Sequence, residues 1–346
     1  MLSHDFLLRD FTKKARYLNA FFSKRMIHLN LQILYSCNFK CEICDFWQEP
    51  YTKMRRLAVA DIQTIAAKLK PLNPLLISLG GGEPFMHKEL AEIVGILSKD
   101  NFLAMISNGW YVTPENAQTI FQHAGMYEVS ISVDYATPEK HDKQRGKEGA
   151  FANAINALKL LHENRSYPHQ RVHMISVVMD DNLDEIEELI KLAKKIGVTY
   201  FVTLYSEGRG EKPSRLSRQE VSRELLRLKR KYPTDFVSLP GYLERFAEIT
   251  TEEQGITPCY AGKNLFNIDC QGNVTLCIDR LQDPVGNILT DDLPKLQQKL
   301  LEQHQQNNCG ACWTSCRGNI EPLLYGKHRL RDFLDSYQMT KSIPLV

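Results

Sequence analysis

Apolar and polar positions fall into a regular alternation over the first two thirds of the chain. Short runs rich in Leu, Ile and Val predict strands at 28–35, 75–79, 102–107, 127–133, 171–179 and 199–205. Longer stretches between them show helical periodicity at 59–70, 87–99, 114–124, 149–163 and 182–196. Strand and helix in strict succession imply parallel strands joined by right-handed crossovers. Six such units over 28–206 are too few to close an eight-stranded barrel. In β/α barrels chemistry gathers at the C-terminal strand ends, which makes the residues after each strand the ones to read.

The flanks follow other patterns. Residues 4–25 read as an amphipathic helix, with Leu7, Phe11, Leu18 and Phe22 on one stripe and Arg9, Lys13, Lys14, Arg16, Lys24 and Arg25 around it. Two readings stand: a helix capping one barrel end, or a helix that makes peripheral contact with an anionic membrane surface. After residue 206 the alternation stops. A basic helix over 215–231 is followed by a hairpin pattern around Gln271-Gly272-Asn273 and by a helix near 293–306. The chain is divided as 1–27 (first helix), 28–206 (barrel), 207–250 (helical linker), 251–320 (a small cysteine-bearing α/β unit) and 321–346 (C-terminal helix and tail).

Composition narrows the field. The 346 residues are 43% hydrophobic and 24% charged, with a formal net charge of +2. That balance gives no global case for nucleic-acid binding. There is no signal-peptide pattern, and the nine cysteines form no secreted framework. The expectation is a cytoplasmic protein whose thiols stay reduced and can bind metal.

The first strand leads into Cys37-Asn-Phe-Lys-Cys41-Glu-Ile-Cys44. Three thiols on one short loop can surround one small inorganic group. An iron–sulfur cluster takes four ligands, so three would leave one iron open. A zinc knuckle is the competing reading, although zinc sites usually close with four ligands. This loop resembles the cluster loop of the radical S-adenosylmethionine (radical SAM) enzymes, with Ile43 standing where that family often has an aromatic. The second strand ends in Gly80-Gly81-Gly82-Glu83-Pro84, similar to the Gly-Gly-Glu-Pro motif that holds the amino group of S-adenosylmethionine. Gly81, Gly82, Glu83 and Pro84 are therefore cofactor-binding candidates. Asn108, after the third strand, and Ser132, on the fourth, fall where relatives contact the cosubstrate. His141-Asp-Lys-Gln-Arg145-Gly146 resembles another stretch of the family, and Arg145 is a candidate partner for the methionine carboxylate. A solvated loop arginine is the alternative.

Cysteines resume at Cys259, Cys270, Cys277, Cys309, Cys312 and Cys316. The spacing from Cys259 through Gly272 to Cys277 is similar to the SPASM or shorter twitch extension of many radical SAM enzymes. Too few cysteines follow Cys312 for two further clusters. The resemblance implies one auxiliary iron–sulfur cluster, a second 4Fe-4S cluster, held by Cys259, Cys277, Cys309 and Cys312, with Cys316 able to replace one of them. A closed four-cysteine zinc site is the alternative. Cys270 and Cys316 exceed the four ligands required and are candidate hydrogen donors.

The family resemblance implies a partial (β/α)6 barrel over 28–206 and, at its mouth, a 4Fe-4S cluster on Cys37, Cys41 and Cys44 with S-adenosylmethionine bound to it. Reductive cleavage there yields a 5′-deoxyadenosyl radical that takes hydrogen from a substrate. The substrate is a peptide, a sugar or a lipid-linked molecule, and the outcome oxidation, epimerisation or coupling. A one-electron donor such as flavodoxin or ferredoxin is the implied partner. The alternatives are a non-catalytic iron–sulfur or zinc protein, and an RNA-modifying enzyme using the basic 215–231 helix.

Overall fold

The computed structural model describes residues 4–205, 218–248, 256–310 and 312–341. The barrel consists of β1 (His28–Leu34), α2 (Val59–Leu69), β2 (Leu76–Gly81), α3 (Leu90–Ser98), β3 (Phe102–Ser107), α4 (Pro114–Phe121), β4 (Met126–Ser132), α5 (Pro138–Arg145), α6 (Ala150–Glu163), β5 (Arg171–Val178), α7 (Ile186–Ile196) and β6 (Thr199–Leu204), preceded by α1 (His4–Phe22). After it come α8 (Arg218–Lys231), α9 (Pro240–Glu244), β7 (Leu265–Ile268), β8 (Asn273–Thr275), β9 (Gly286–Asn287), α10 (Leu293–Gln305), α11 (Ser315–Gly318), α12 (Glu321–Tyr325) and α13 (Arg329–Lys341).

All six expected strands form and pair in parallel, in the order β6-β5-β4-β3-β2-β1. The sheet does not close on itself. Its β1 edge continues through β7, which is parallel to β1, into the antiparallel β8 and β9. The cysteine-bearing hairpin thus extends the barrel sheet rather than building a sheet of its own. On the other edge the backbone N–H of Ser315 reaches Thr203 Oγ1 on β6 at 3.2 Å. Helix α11 therefore spans from the β6 edge to β1, where the Cys316 thiol lies 3.6 Å from Asn30 Oδ1.

The partial alternation of β1 has a barrel-specific cause. Successive strand side chains point to opposite faces. Leu29, Leu31 and Ile33 join the apolar core, whereas His28, Asn30 and Gln32 line the lumen. Strand β4 repeats this with Glu128, Ser130 and Ser132 facing inward. Polar positions here mark the inside of the barrel, not its solvent face.

Three local expectations change. Helix α5 occupies a stretch read as a loop motif; its sequence, PEKHDKQR, has no apolar stripe, and His141, Gln144 and Arg145 are its buried side chains. Asn182 precedes the helical turn Leu183–Glu185, a position at which an Asn side chain is expected to cap, but its side chain makes no capping bond: its Nδ2 donates to the carbonyls of Asp134 and Val177, and its Oδ1 accepts from Met179 N–H, tying β4 to β5. On α1, Phe11, Leu18 and Phe22 stand exposed, while Tyr17, Ala20 and Phe21 pack inward. The helix is held across the N-terminal strand ends by Lys13 Nζ on the Ser98 carbonyl (3.0 Å) and by Tyr17 edge-on to Phe102. The polar loop Ser206–Gly210, read as lining the barrel mouth, lies outside the described residues.

Candidate active site: two cysteine-lined cavities sharing a wall

Cys37, Cys41 and Cys44 follow β1 and line one end of a cavity of about 330 Å³. The same cavity is lined by Gly80, Gly81, Gly82 and Glu83 after β2, Asn108 after β3, Ser132 on β4, and Arg145. Five separate segments thus bring the candidates of the first site to one space. Pro84 does not line it; Pro84 begins the turn that follows, where its fixed φ suits the first helical position.

The glycines serve close backbone packing. A Cβ on Gly81, whose φ is +120°, would lie 1.9 Å from the Leu34 carbonyl oxygen. One on Gly82 would lie 2.1 Å from the Ser36 carbonyl oxygen. Their absence lets Gly82 N–H bond Leu34 O (2.9 Å) and Glu83 N–H bond Ser36 O (3.0 Å), which fixes the entry to the cysteine loop. Gly80 alone has open space beside it, with nothing nearer than the Gln32 amide at 3.6 Å.

Glu83 is buried and its carboxylate is used within the protein. It accepts from Phe85 N–H (3.0 Å), Ser107 Oγ–H (2.8 Å) and Asn108 N–H (2.8 Å). Burial is the largest influence and raises its pKa to about 7, against these three donors. Asn108 in turn donates from Nδ2 to Asn38 Oδ1 at 2.9 Å, so the β3 end is pinned to the cysteine loop.

Arg145 is not a solvated loop residue. Its guanidinium pairs with buried Asp134 at 2.6 Å and lies 4.0 Å from the Cys41 sulfur. Asp134 also accepts from Val177 N–H (2.9 Å), and its own N–H bonds His141 Nδ1 (3.1 Å). His141 is thus a structural prop, kept neutral by burial that lowers its pKa to about 2. Arg145 Nε has no hydrogen-bond partner among the described residues, which leaves one buried donor at the cavity wall for a ligand oxygen.

A second cavity, of about 250 Å³, is lined by Cys259, Cys277, Cys309, Cys312 and Cys316. Its wall also carries Arg317, which binds Glu321 at 2.7 Å and the carbonyl of Cys312 at 2.8 Å. Asn30, Phe46, Ile278 and Cys316 line both cavities. Cys316 therefore faces both spaces. Cys270 reaches neither: it is fully buried against Tyr35 and Phe46, and burial pushes its thiol up to about 12. The structure therefore does not place Cys270 on the wall of either cavity, where a hydrogen donor would meet a substrate.

The donor sets fit iron–sulfur clusters. Burial raises the Cys37 thiol to about 12 and also raises Cys41, Cys259 and Cys277. The protein alone holds them protonated, and coordination is what makes a thiol a thiolate at neutral pH.

Residues with no motif complete the inner end. Glu128 faces both this cavity and another of about 260 Å³ at the N-terminal strand ends. Its carboxylate is 3.5 Å from His173 Nε2. His28 Nε2 bonds Ser78 Oγ at 2.9 Å, and burial lowers its pKa to about 4. The polar alternation in β1 and β4 was the available signal for these residues.

Residues 31–193 match the radical SAM superfamily. Mycofactocin maturase MftC of Mycolicibacterium smegmatis is 28% identical over 313 residues, covering 84% of this chain and 77% of that protein. AdoMet-dependent heme synthase of Nitratidesulfovibrio vulgaris is 22% identical over 350 residues, covering 90% of this chain and 93% of that protein. The crystal structure of Streptococcus suis SuiB bound to its precursor peptide SuiA aligns with a TM-score of 0.64 at 15% identity, over 94% of this chain and 72% of that one. That last likeness is one of fold.

Proposed function

Because this chain belongs to the radical SAM superfamily, we propose that it modifies a peptide at an unactivated C–H bond, with a second iron–sulfur cluster beside the substrate. The observation that carries this reading is the wall shared by the two cysteine-lined cavities, with Cys316 on both sides of it. Peptide is the substrate class favoured because one relative is a maturase and a structural neighbour is bound to a precursor peptide.

Cys37, Cys41 and Cys44 would hold the first 4Fe-4S cluster, leaving one iron for S-adenosylmethionine. When bound, that pair supplies a 5′-deoxyadenosyl radical by one-electron cleavage of the sulfonium. The chain's part is to hold the reacting atoms in line and to exclude competing reactants. Gly81 and Gly82 set the strand edge where the methionine amine would lie. Arg145 offers its remaining N–H toward the carboxylate, and Ser132 its hydroxyl toward the ribose. Cys259, Cys277, Cys309 and Cys312 would hold the second cluster, positioned to accept an electron from a substrate radical. Cys316 exceeds those four and is placed to give a hydrogen atom to such a radical.

The RNA-modifying reading is weakened, because three basic side chains of α8 are engaged within the protein: Arg227 and Lys231 pair with Glu187 at 2.7 and 2.6 Å, and Lys229 with Asp335 at 2.9 Å.

One experiment separates the assignments. Anaerobically reconstituted protein reduced with dithionite is expected to convert S-adenosylmethionine to 5′-deoxyadenosine. The Cys37→Ala/Cys41→Ala/Cys44→Ala variant should make none, yet keep the iron of the second site. Adding Cys259→Ala should remove that iron, whereas adding Cys316→Ala should not. Iron-loaded wild-type protein that forms no 5′-deoxyadenosine would overturn the catalytic reading; iron loss with Cys316→Ala would make Cys316 a ligand instead.

A further inference from the structure

Ten large hydrophobic side chains stand exposed among the described residues, and seven of them are on the first and last helices. On α1 these are Phe11 (71% exposed), Leu18 and Phe22 (61%). Their spacings of seven and four residues place them on one helical face. On α13 they are Leu330 (74% exposed), Phe333, Leu334 and Tyr337, spaced three, four and seven from the first. That stripe is opposite buried Asp332, which anchors the helix by accepting from Gly241 N–H at 3.0 Å. The rings of Phe22 and Phe333 meet with centroids 6.1 Å apart, so the two stripes form one surface. Concentrating exposed apolar side chains on two elements is what an interaction surface does; scattered single residues would mean little.

Charge says what covers it. Residues 4–25 and 326–341 carry ten Lys and Arg against four Asp and Glu, while the rest of the chain has 33 against 37. Around the stripes the exposed basic side chains are Arg16, Lys24, Arg25, Lys327 and Arg329. The described acidic ones are withdrawn: Asp332 is buried and Asp335 pairs with Lys229. The apolar side chains protrude from helices and form no groove, so a partner needs no matching shape. A lipid surface meets that condition, and basic residues flanking Phe and Leu suit an anionic one.

We propose that α1 and α13 together form a membrane-association surface that lays the N-terminal end of the barrel on an anionic lipid bilayer. No helix of the described residues is long and apolar enough to cross a membrane, so the contact is peripheral. The surface is opposite the cysteine loop: α1 rests on Phe102, the first residue of β3. Ser336 of α13 lines the small cavity that Glu128 connects to the lumen. The inner end of the barrel would therefore face the lipid, with the cluster end turned away.

The test is flotation of the reconstituted full-length protein with vesicles of phosphatidylglycerol and phosphatidylethanolamine, compared with phosphatidylcholine alone. The anionic vesicles should carry the protein, and 0.5 M salt should weaken the association. Phe22→Asp/Phe333→Asp should reduce the bound fraction about tenfold or more, since it puts two charges into the apolar stripe. Leu18→Gln/Leu330→Gln, a milder change, should reduce it in the same direction. Far-UV circular dichroism and the yield of 5′-deoxyadenosine should match wild type, as neither pair lines a cysteine cavity. Absence of flotation, or flotation unaffected by both variants, would overturn the proposal. So would dimerisation of the wild type that the variants abolish without any vesicle binding, which would assign the surface to a second copy. The flotation result is readable whether or not the catalytic reading holds.

Discussion

The three consecutive glycines after β2 should not be equivalent, and replacing each with alanine separates folding from ligand binding. At Gly82 the new Cβ would sit 2.1 Å from Ser36 O and 2.4 Å from Tyr35 O. Both obstacles are backbone, so no side chain can swing away. Relief requires moving the residue just before Cys37 by more than 1 Å, roughly the gap to an ordinary carbon–oxygen contact. That movement breaks Gly82 N–H to Leu34 O and Glu83 N–H to Ser36 O, at about 1 kcal/mol each. Overpacking adds about 1–3 kcal/mol, for a total of about 3–5 kcal/mol. Gly81→Ala meets Leu34 O at 1.9 Å and carries in addition a φ of +120°, a further cost of about 1–3 kcal/mol. Gly80→Ala meets nothing within 3.6 Å and restricts the unfolded chain, so it should be neutral or stabilising by about 0.5 kcal/mol. Urea unfolding of the metal-free protein, followed by circular dichroism, gives the ranking. Iron content after reconstitution should fall with Gly81→Ala and Gly82→Ala and stay unchanged with Gly80→Ala. If Gly80→Ala destabilised as much as Gly82→Ala, or if Gly82→Ala cost less than about 1 kcal/mol, the packing argument would be wrong.

Two further substitutions probe the same wall. Asp134→Asn leaves the Arg145 guanidinium buried without its counter-charge, which should cost about 3–5 kcal/mol; an unchanged urea midpoint would show the pair to be dispensable. Glu83 titrates near 7 when folded against an ordinary 4.5. Its raised pKa means that its contribution is largest below pH 4.5 and is lost as pH rises to about 7, by about 3 kcal/mol from a shift of this size. Glu83→Gln should flatten that part of the stability–pH curve relative to wild type, and parallel curves would refute the assignment.

Much of this architecture is legible because parallel strands buried on both faces leave apolar runs and the crossover helices leave amphipathic ones. The six barrel strands appear where those runs predict them. The cysteines of both groups are equally visible, since their residue type and spacing are read directly from the chain. What escapes has a physical reason in each case. Helix α5 carries its buried contacts on His141, Gln144 and Arg145, so no apolar period announces it. The apolar stripe on α1 was compatible with a helix packed on the barrel; instead lysine-to-carbonyl bonds and Tyr17 hold the helix, and Phe11, Leu18 and Phe22 are left outside. Glu128, His28 and His173 are far apart in sequence and share no motif, so only the fold brings them together. The surplus cysteines Cys270 and Cys316 could not be told apart by spacing. One lies among aromatic rings and the other on the wall between two cavities.

Both cysteine groups share an electrostatic arrangement. Beside Cys41 lies Arg145, held by Asp134; beside Cys259 and Cys312 lies Arg317, held by Glu321. Each guanidinium favours the thiolate form of the neighbouring sulfur, and each partner carboxylate keeps a buried cation from being left uncompensated. Burial still dominates, and the Cys37, Cys41 and Cys259 thiols are raised overall. The arginines are therefore too weak to make reactive thiolates on their own. They are well placed to offset the negative charge that several cysteinates bring once a cluster binds. Since the thiols must then lose their protons, cluster loading should release protons and favour higher pH. A buried cation already fixed by a carboxylate would also stay in position with or without a cluster, so that on the proposed reading each site is prepared before it is loaded.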